Sequence, residues 1–193
     1  MVKHKFGVTS STSKGEGHPI MYGAPQGALL FESFPDGGGY PKRFLEWVFD
    51  IMQVEEPAEV LHLCSGSVRS GWTVDIRSSV KPLVVADVRH LPFRDNTFNF
   101  VLADPPYDKS YAQNLYGVGS CYPKPGEVLK EAARVVRPGG LIGLLHFIVP
   151  VTRRPLKIVK VYGITTGNGT AIRAWTLLRK ILPDEQVTFR NGT

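Results

Sequence analysis

Residues 98–107 read Phe98-Asn99-Phe100-Val101-Leu102-Ala103-Asp104-Pro105-Pro106-Tyr107. A short apolar run meets an acid and two prolines, the pattern of a buried strand that stops at Asp104. Proline fixes its own φ and has no N–H to give, so a sheet ladder cannot continue through 105 and 106. In an open α/β sheet, ligands bind outside the carboxyl ends of the strands. The tetrad from Asp104 to Tyr107 is therefore predicted to lie at a site.

Working outward, the flanking sequence supplies the rest of such a sheet. Pro41 opens a helix in which Phe44, Leu45, Val48, Ile51 and Met52 recur at helical spacing. Further strands are predicted at Val60–Leu63, Thr73–Ile76, Leu83–Ala86 and Leu141–Val149. A helix over Glu127–Val136 is stopped by Pro138-Gly139-Gly140. Two alternating runs, Lys157–Ile164 and Ala171–Arg179, flank an Asn-Gly tip and predict an antiparallel hairpin. The expectation is an α/β, doubly wound, mostly parallel seven-stranded sheet closed by that hairpin. The interval from Gly66 to Asp87 is too short for full-length helices, so one or both are expected to shrink to turns. Residues 1–32, rich in Gly, Ser, Thr and Pro, read as an irregular arm, and 33–193 as one domain.

The composition is that of an ordinary globular protein, 42% hydrophobic and 21% charged, and no apolar run approaches the roughly 20 residues of a membrane span. No membrane partner is expected. The polar, basic start carries no secretory signal pattern, and Cys64 and Cys121 lie far apart, which fits a reducing cytoplasmic compartment. The five histidines show no metal-ligand spacing, and His146, inside an apolar strand, reads as a core residue. No metal is expected. A net charge of +6 favours a polyanionic partner.

The chemistry of the tetrad suits a nucleobase amine, whose lone pair is delocalised into the ring. The Asp104 carboxylate and the Pro105 carbonyl can each accept a proton of the NH2 group, with Pro106 stiffening the turn; this favours a pyramidal, nucleophilic nitrogen. Tyr107 offers a flat face for an extruded base. The turn Cys64-Ser65-Gly66-Ser67 follows the first core strand, where backbone amides meet a cofactor. Asp87, with Val88 beside it, can accept from an adenine amine or a ribose hydroxyl, and Asp75 ranks second for the ribose. Tyr111, Tyr116 and Tyr122, in a predicted loop from Asp108 to Lys124, form a candidate stacking lid. Arg153, Arg154, Lys157 and Lys160 are candidates to face phosphates.

These pieces, in this order, resemble the class I S-adenosylmethionine-dependent methyltransferases. The tetrad itself is similar to that of the amino-methyltransferases acting on adenine N6 or cytosine N4. Phe34-Pro35, Tyr40-Pro41 and the turn after Val60-Leu61 resemble that family's cofactor-binding start. Leu129 to Gly140 and Arg173 to Arg179 resemble the helix before the fifth strand and the closing strand. The resemblance implies S-adenosylmethionine as cofactor, held by Phe34, Pro41, the turn and the acids above. It further implies methyl transfer to an amino group of DNA or RNA. Methylation of RNA guanine N2, of a protein glutamine or of a small molecule stays open, as does a non-catalytic binding module. The chain departs from the family pattern at His62, where an aspartate is usual, and at Val68, where a second glycine is usual; Val68 is expected to narrow the methionine end of the pocket.

Overall fold

The computed structural model describes residues 28–31, 40–41, 43–117, 121–166 and 171–187. Its central strands are β2 (Val60–Leu63) and β5 (Phe98–Ala103), paired in parallel from Val60↔Phe100 to Leu63↔Ala103. All four residues of β2 are buried, as a strand covered on both faces requires. β3 (Trp72–Asp75) and β4 (Val84–Val85) extend the sheet on one side. On the other lie β6 (Val136–His146), β8 (Arg173–Lys180) and β7 (Leu156–Thr166), the last two antiparallel to each other.

These seven strands match the expected sheet. An eighth joins them: β1 (Ala28–Phe31) runs parallel to β7, giving the order β1-β7-β8-β6-β5-β2-β3-β4. That strand corrects the reading of 1–32 as irregular throughout; residues 1–27 lie outside the described residues, as does Phe34.

The two faces of the sheet are covered by different helices, and side-chain alternation along the strands assigns each residue its side. Leu61, Leu63, Val101 and Ala103 pack with α3 (Pro125–Val135) through Val128, Leu129, Ala132 and Val135. Val60, Leu102, Leu145 and Trp175 pack with α1 (Phe44–Met52) through Phe44, Trp47, Val48 and Met52. Each such large side chain contributes roughly 1.5–3 kcal/mol by leaving water.

Between β2 and β4 no α-helix forms. A turn joins β2 to β3, and a single 3-10 turn, Ser78–Val80, joins β3 to β4. The expected compression is therefore complete, and it leaves Trp72, Leu83 and Val85 exposed. Pro138-Gly139-Gly140 does not separate helix from strand as expected. β6 begins at Val136 and passes through these residues, its pairing with β5 interrupted by an irregularity around them, with Gly139 at a φ of 83°.

The helix before β6 ties down the loop leading into β5. Arg134 donates to the Leu91 carbonyl (2.9 Å), the Phe93 carbonyl (2.7 Å), Asp95 (2.8 Å) and Glu131 (2.8 Å), while Glu131 accepts from the Leu91 N–H (2.9 Å). Arg134→Met keeps the packing of the stem but removes the donor from two carbonyls and two carboxylates. It is expected to lower unfolding free energy by about 2 kcal/mol, read from urea titration; a change within 0.5 kcal/mol, about the noise for surface substitutions, would show that the clamp carries no stability.

Candidate active site

The strand order reverses between β2 and β5, and the cavity opens there, at the carboxyl ends of β2, β3, β4 and β5. Its empty space, the open mouth included, is about 530 Å³. Cys64 and Gly66 from the turn after β2, Asp75 at the end of β3, Asp87 and Val88 after β4, and Asp104 and Pro106 after β5 all line it. Eight predicted residues are thereby brought together once Tyr116 is added, which closes the cavity from above β5.

The turn after β2 is shaped by two left-handed residues, Cys64 (φ 55°) and Gly66 (φ 51°). Ser65 is buried and its Oγ has no hydrogen-bond partner among the described residues, while Ser67 is exposed. The Gly66 N–H donates to Asp75 Oδ2 at 3.0 Å, so the second-ranked acid sits directly against the turn. The main chain N–H, Nε and Nη2 of Arg77 also donate to Asp75, at 2.9, 3.1 and 3.1 Å. The Arg77 guanidinium lies 4.5 Å from the centre of the Tyr116 ring. Asp87 is likewise forked by Arg89, at 2.6 Å to Nη2, and this bond holds its carboxyl below the usual carboxylate range.

Asp104 continues the pairing of β5 with β2 through its N–H to the Leu63 carbonyl (3.3 Å), then leaves the sheet at Pro105. Burial raises its carboxyl from the usual 3.8 to about 7, against the opposing effects of a hydrogen bond from the Tyr107 hydroxyl and the charge of Arg173. Tyr107 is fixed from several sides. Arg173 Nε donates to its hydroxyl at 3.0 Å, and Tyr122 donates to its carbonyl at 3.2 Å. Phe147 lies 4.3 Å from its ring centre, Tyr111 at 5.5 Å and His146 edge-on at 5.5 Å. A base stacking on Tyr107, as expected from the sequence, would have to displace one of these neighbours.

Residues 109–116, predicted as loop, form α2 (Lys109–Tyr116). Asp108 caps it by accepting from the Tyr111 N–H at 2.8 Å, and Gly117 ends it at a φ of 68°. Tyr111 and Tyr116 therefore project from one short helix, Tyr111 toward Tyr107 and Phe147 and Tyr116 toward the cavity.

Three predicted residues lie elsewhere. Pro41, expected to open the first helix, is buried three residues before α1, its carbonyl accepting from the Phe44 N–H at 3.0 Å. Arg153 and Arg154 line a different groove, of about 1080 Å³, with Lys130 and Leu129 of α3. That groove belongs to a strongly basic stretch: residues 132–183 hold nine Lys and Arg and no Asp or Glu. Val68 also departs from expectation. It packs into the core beside Tyr40 and Phe44 and is not among the residues lining the cavity. His62 sits in the same layer, between Tyr40 and Phe49. His146 is buried, with Nδ1 accepting from the Ile148 N–H at 3.2 Å, as a core residue.

The sequence reading missed Arg77, Arg173, Phe147 and Cys121. Arg77 had a usable signal, since an arginine two residues after a strand-terminal acid can fold back onto it. Arg173 and Phe147 had none, because strand pairing brings them to Tyr107 from distant positions.

Residues 37–144, more than half of the chain, match the family model described as a methyltransferase domain. Demethylmenaquinone methyltransferase of Chlamydia trachomatis is 35% identical over 77 residues, which make up 39% of this chain and 28% of that enzyme; the match thus spans little more than a quarter of the relative. Among solved structures, TrmN from Thermus thermophilus superposes with a TM-score of 0.56 at 17% identity, over 75% of this chain and 50% of that one. The [4+2]-cyclase SpnF gives 0.50 at 12% identity, over 79% and 87%. At these identities the structures show a shared fold.

The cavity fits the cofactor of that family. The turn residues Cys64 and Gly66 line one wall, suited to an amino-acid group. The slot of Ile76, Ala86 and Val88, with Asp75 and Asp87 beside it, suits an adenosine, whose ring needs apolar walls and whose hydroxyls need acceptors. From the match over residues 37–144, which takes in β2 to β5 and most of β6, the chain belongs to the methyltransferase domain family.

Proposed function

We propose that the protein methylates an exocyclic amino group of a nucleobase in DNA or RNA, adenine N6 before the others. The observation that carries this reading is Asp104: a carboxyl on the cavity wall, followed by two prolines, with a proton affinity near neutral pH. An amine that attacks a methyl group becomes cationic and must shed a proton. A carboxylate titrating near 7 can align the amine by accepting its hydrogen bond and then take that proton. S-adenosylmethionine supplies the electrophilic methyl group when bound, and alignment of the amine by the chain's own residues does the rest. Cys64, Ser65, Gly66 and Ser67, with Asp75, Asp87 and Val88, are proposed to hold the cofactor. Tyr111 and Tyr116 are proposed to contact the base, and the basic groove at Arg153 and Arg154 to meet phosphates.

A second reading rests on the enclosure of Tyr107 by Phe147, Tyr111 and His146. A site without an open stacking face suits a smaller aromatic substrate, such as a hydroquinone, whose acidic O–H or ring carbon would use the same Asp104. The similarity to demethylmenaquinone methyltransferase over 77 residues supports that class.

One experiment separates the two. Labelled methyl transfer is measured to duplex DNA, single-stranded DNA, structured RNA, protein extract and a set of hydroquinones, with Asp104→Ala alongside. The products are then digested and identified by mass. Label in N6-methyladenine that disappears in Asp104→Ala is the expected result. Label confined to the hydroquinones would replace the nucleobase reading with the second.

A further inference from the structure

The described part of β8 begins with Arg173, a residue far from the tetrad in sequence yet joined to it by a hydrogen bond. We propose that Arg173 is a positioning residue of the transfer reaction, acting on Asp104 through the Tyr107 hydroxyl. The inference rests on the reading of Asp104 as the group that receives the substrate's proton.

The polarity of the hydrogen-bond chain is forced by its members. A guanidinium has donors and no acceptor, and it stays protonated at any physiological pH. The 3.0 Å bond from Arg173 Nε therefore occupies a lone pair of Tyr107 Oη and leaves the single phenolic proton to be placed elsewhere. The acceptor it finds is the Asp104 carboxylate. The order is thus Arg173 to Tyr107 to Asp104, with no alternative direction as long as the phenol keeps its proton. Burial and the charge of Asp104 push the phenol well above its usual range, so it does keep it.

The arginine is also fixed in place. Its guanidinium carbon lies 5.3 Å from the Tyr107 ring centre and 5.4 Å from that of Phe147, within the range of cation–π attraction. Sheet pairing sets its backbone: Arg173 lies opposite Ile164 of β7, and the next residue, Ala174, opposite His146 of β6. The same β6 carries Phe147 past its end and places it over Tyr107. Asp104, which accepts from Tyr107, also lines the cavity in which the substrate would sit.

The remaining groups around Asp104 do not duplicate this. Tyr40, Cys64 and Tyr116 face it, and burial raises all three above their usual ranges, so they stand neutral at pH 7. Arg77, the other cation on this wall, is forked onto Asp75. Removing Arg173 therefore leaves Asp104 buried with less to stabilise its charge, and the carboxyl should bind its proton more tightly.

The test is a pH titration of the carbon-13 carboxyl signal of Asp104 in the whole chain, wild type against Arg173→Gln and Tyr107→Phe. It needs no substrate. The midpoint is expected to move from about 7 to about 8 in Arg173→Gln, and upward in Tyr107→Phe, with S-adenosylmethionine affinity by calorimetry within about twofold of wild type. On whichever substrate the transfer panel identifies, kcat at pH 7 should fall about fivefold in Arg173→Gln and recover by pH 9, as the shifted fraction of carboxylate predicts. A merely structural role would lower activity equally at all pH values. A midpoint within about 0.2 of wild type in a folded Arg173→Gln protein, where a rise of about one is expected, would overturn the proposal. If that variant does not fold, Arg173→Lys serves instead: it keeps the charge but loses the planar Nε–H donor to Tyr107, so a smaller rise is expected. Because the titration is read without substrate, it stands whether or not the nucleobase reading does.

Discussion

Asp104→Asn should leave a protein that is more stable than wild type at pH 8 and transfers methyl groups at least about 10³-fold more slowly. Both effects come from one feature. The folded carboxyl titrates near 7 and the unfolded one at the ordinary 3.8, so between those values the native state holds a proton that the unfolded state has lost. Stability consequently falls as pH rises from 3.8 through 7, and the loss is complete above 7. The full difference corresponds to about 4 kcal/mol, and because Asp104 is partly open to the cavity, about 2–4 kcal/mol is the realistic range. Asparagine has no charge to bury and can still accept from Tyr107, so it escapes that loss at pH 8 and gains nothing at pH 3. Urea unfolding of both proteins at the two pH values checks the stability arm. A destabilised Asp104→Asn at pH 8 would mean that the carboxylate is better solvated than the structure implies.

His62 produces the opposite dependence. It is fully buried in β2, neither ring nitrogen has a hydrogen-bond partner among the described residues, and burial lowers its titration from 6.5 to about 4. The native ring is therefore neutral where the unfolded one is already charged. Stability is intact above 6.5 and is lost as pH falls through 4, by about 3 kcal/mol in total. His62→Leu removes both the titration and the two unpaired nitrogens from a layer already made of Tyr40, Phe49 and Val60. The variant is expected to match or exceed wild-type stability at pH 7, and its margin over wild type should grow by about 3 kcal/mol as pH falls from 6.5 to 4, on top of the opposite slope that Asp104 gives both proteins, measured by denaturant titration. A margin that stays constant over that interval would assign acid sensitivity to another group.

The parts of this protein that were legible in the sequence are those governed by local chemistry. Pro105 and Pro106 had to end β5, the Asn-Gly tip had to sit between antiparallel runs, and the short interval after Gly66 could not hold helices. α2 was legible too, through the Asp108 cap and Gly117, although the tyrosines and glycines from 108 to 124 together predict a loop. The glycines at 139 and 140 were taken for a stop because a bulged strand and a helix end use the same residues. Beyond that, long-range pairing decides. Arg153 and Arg154 lie only a few residues past β6, yet the chain turns toward α3 and places them in a separate groove. Arg173 reaches Tyr107 across 66 positions. The pairing of Asp75 and Asp87 with arginines two residues on was accessible from spacing, and it shows that the acids expected to meet the cofactor already have partners.

The missing helices around β3 and β4 leave the cofactor's side of the sheet with the least cover. β4 is two residues long, Trp72 of β3 is half exposed, and Leu83 and Val85 are mostly in solvent. The outer strands should therefore open and reclose far more often than the rest of the molecule unfolds, and Asp75, Asp87 and Val88 go with them. A ligand seated between these residues would act as the absent helices do, closing the weak end of the sheet. Occupancy and local order would then rise together, with part of the binding energy spent on finishing the fold.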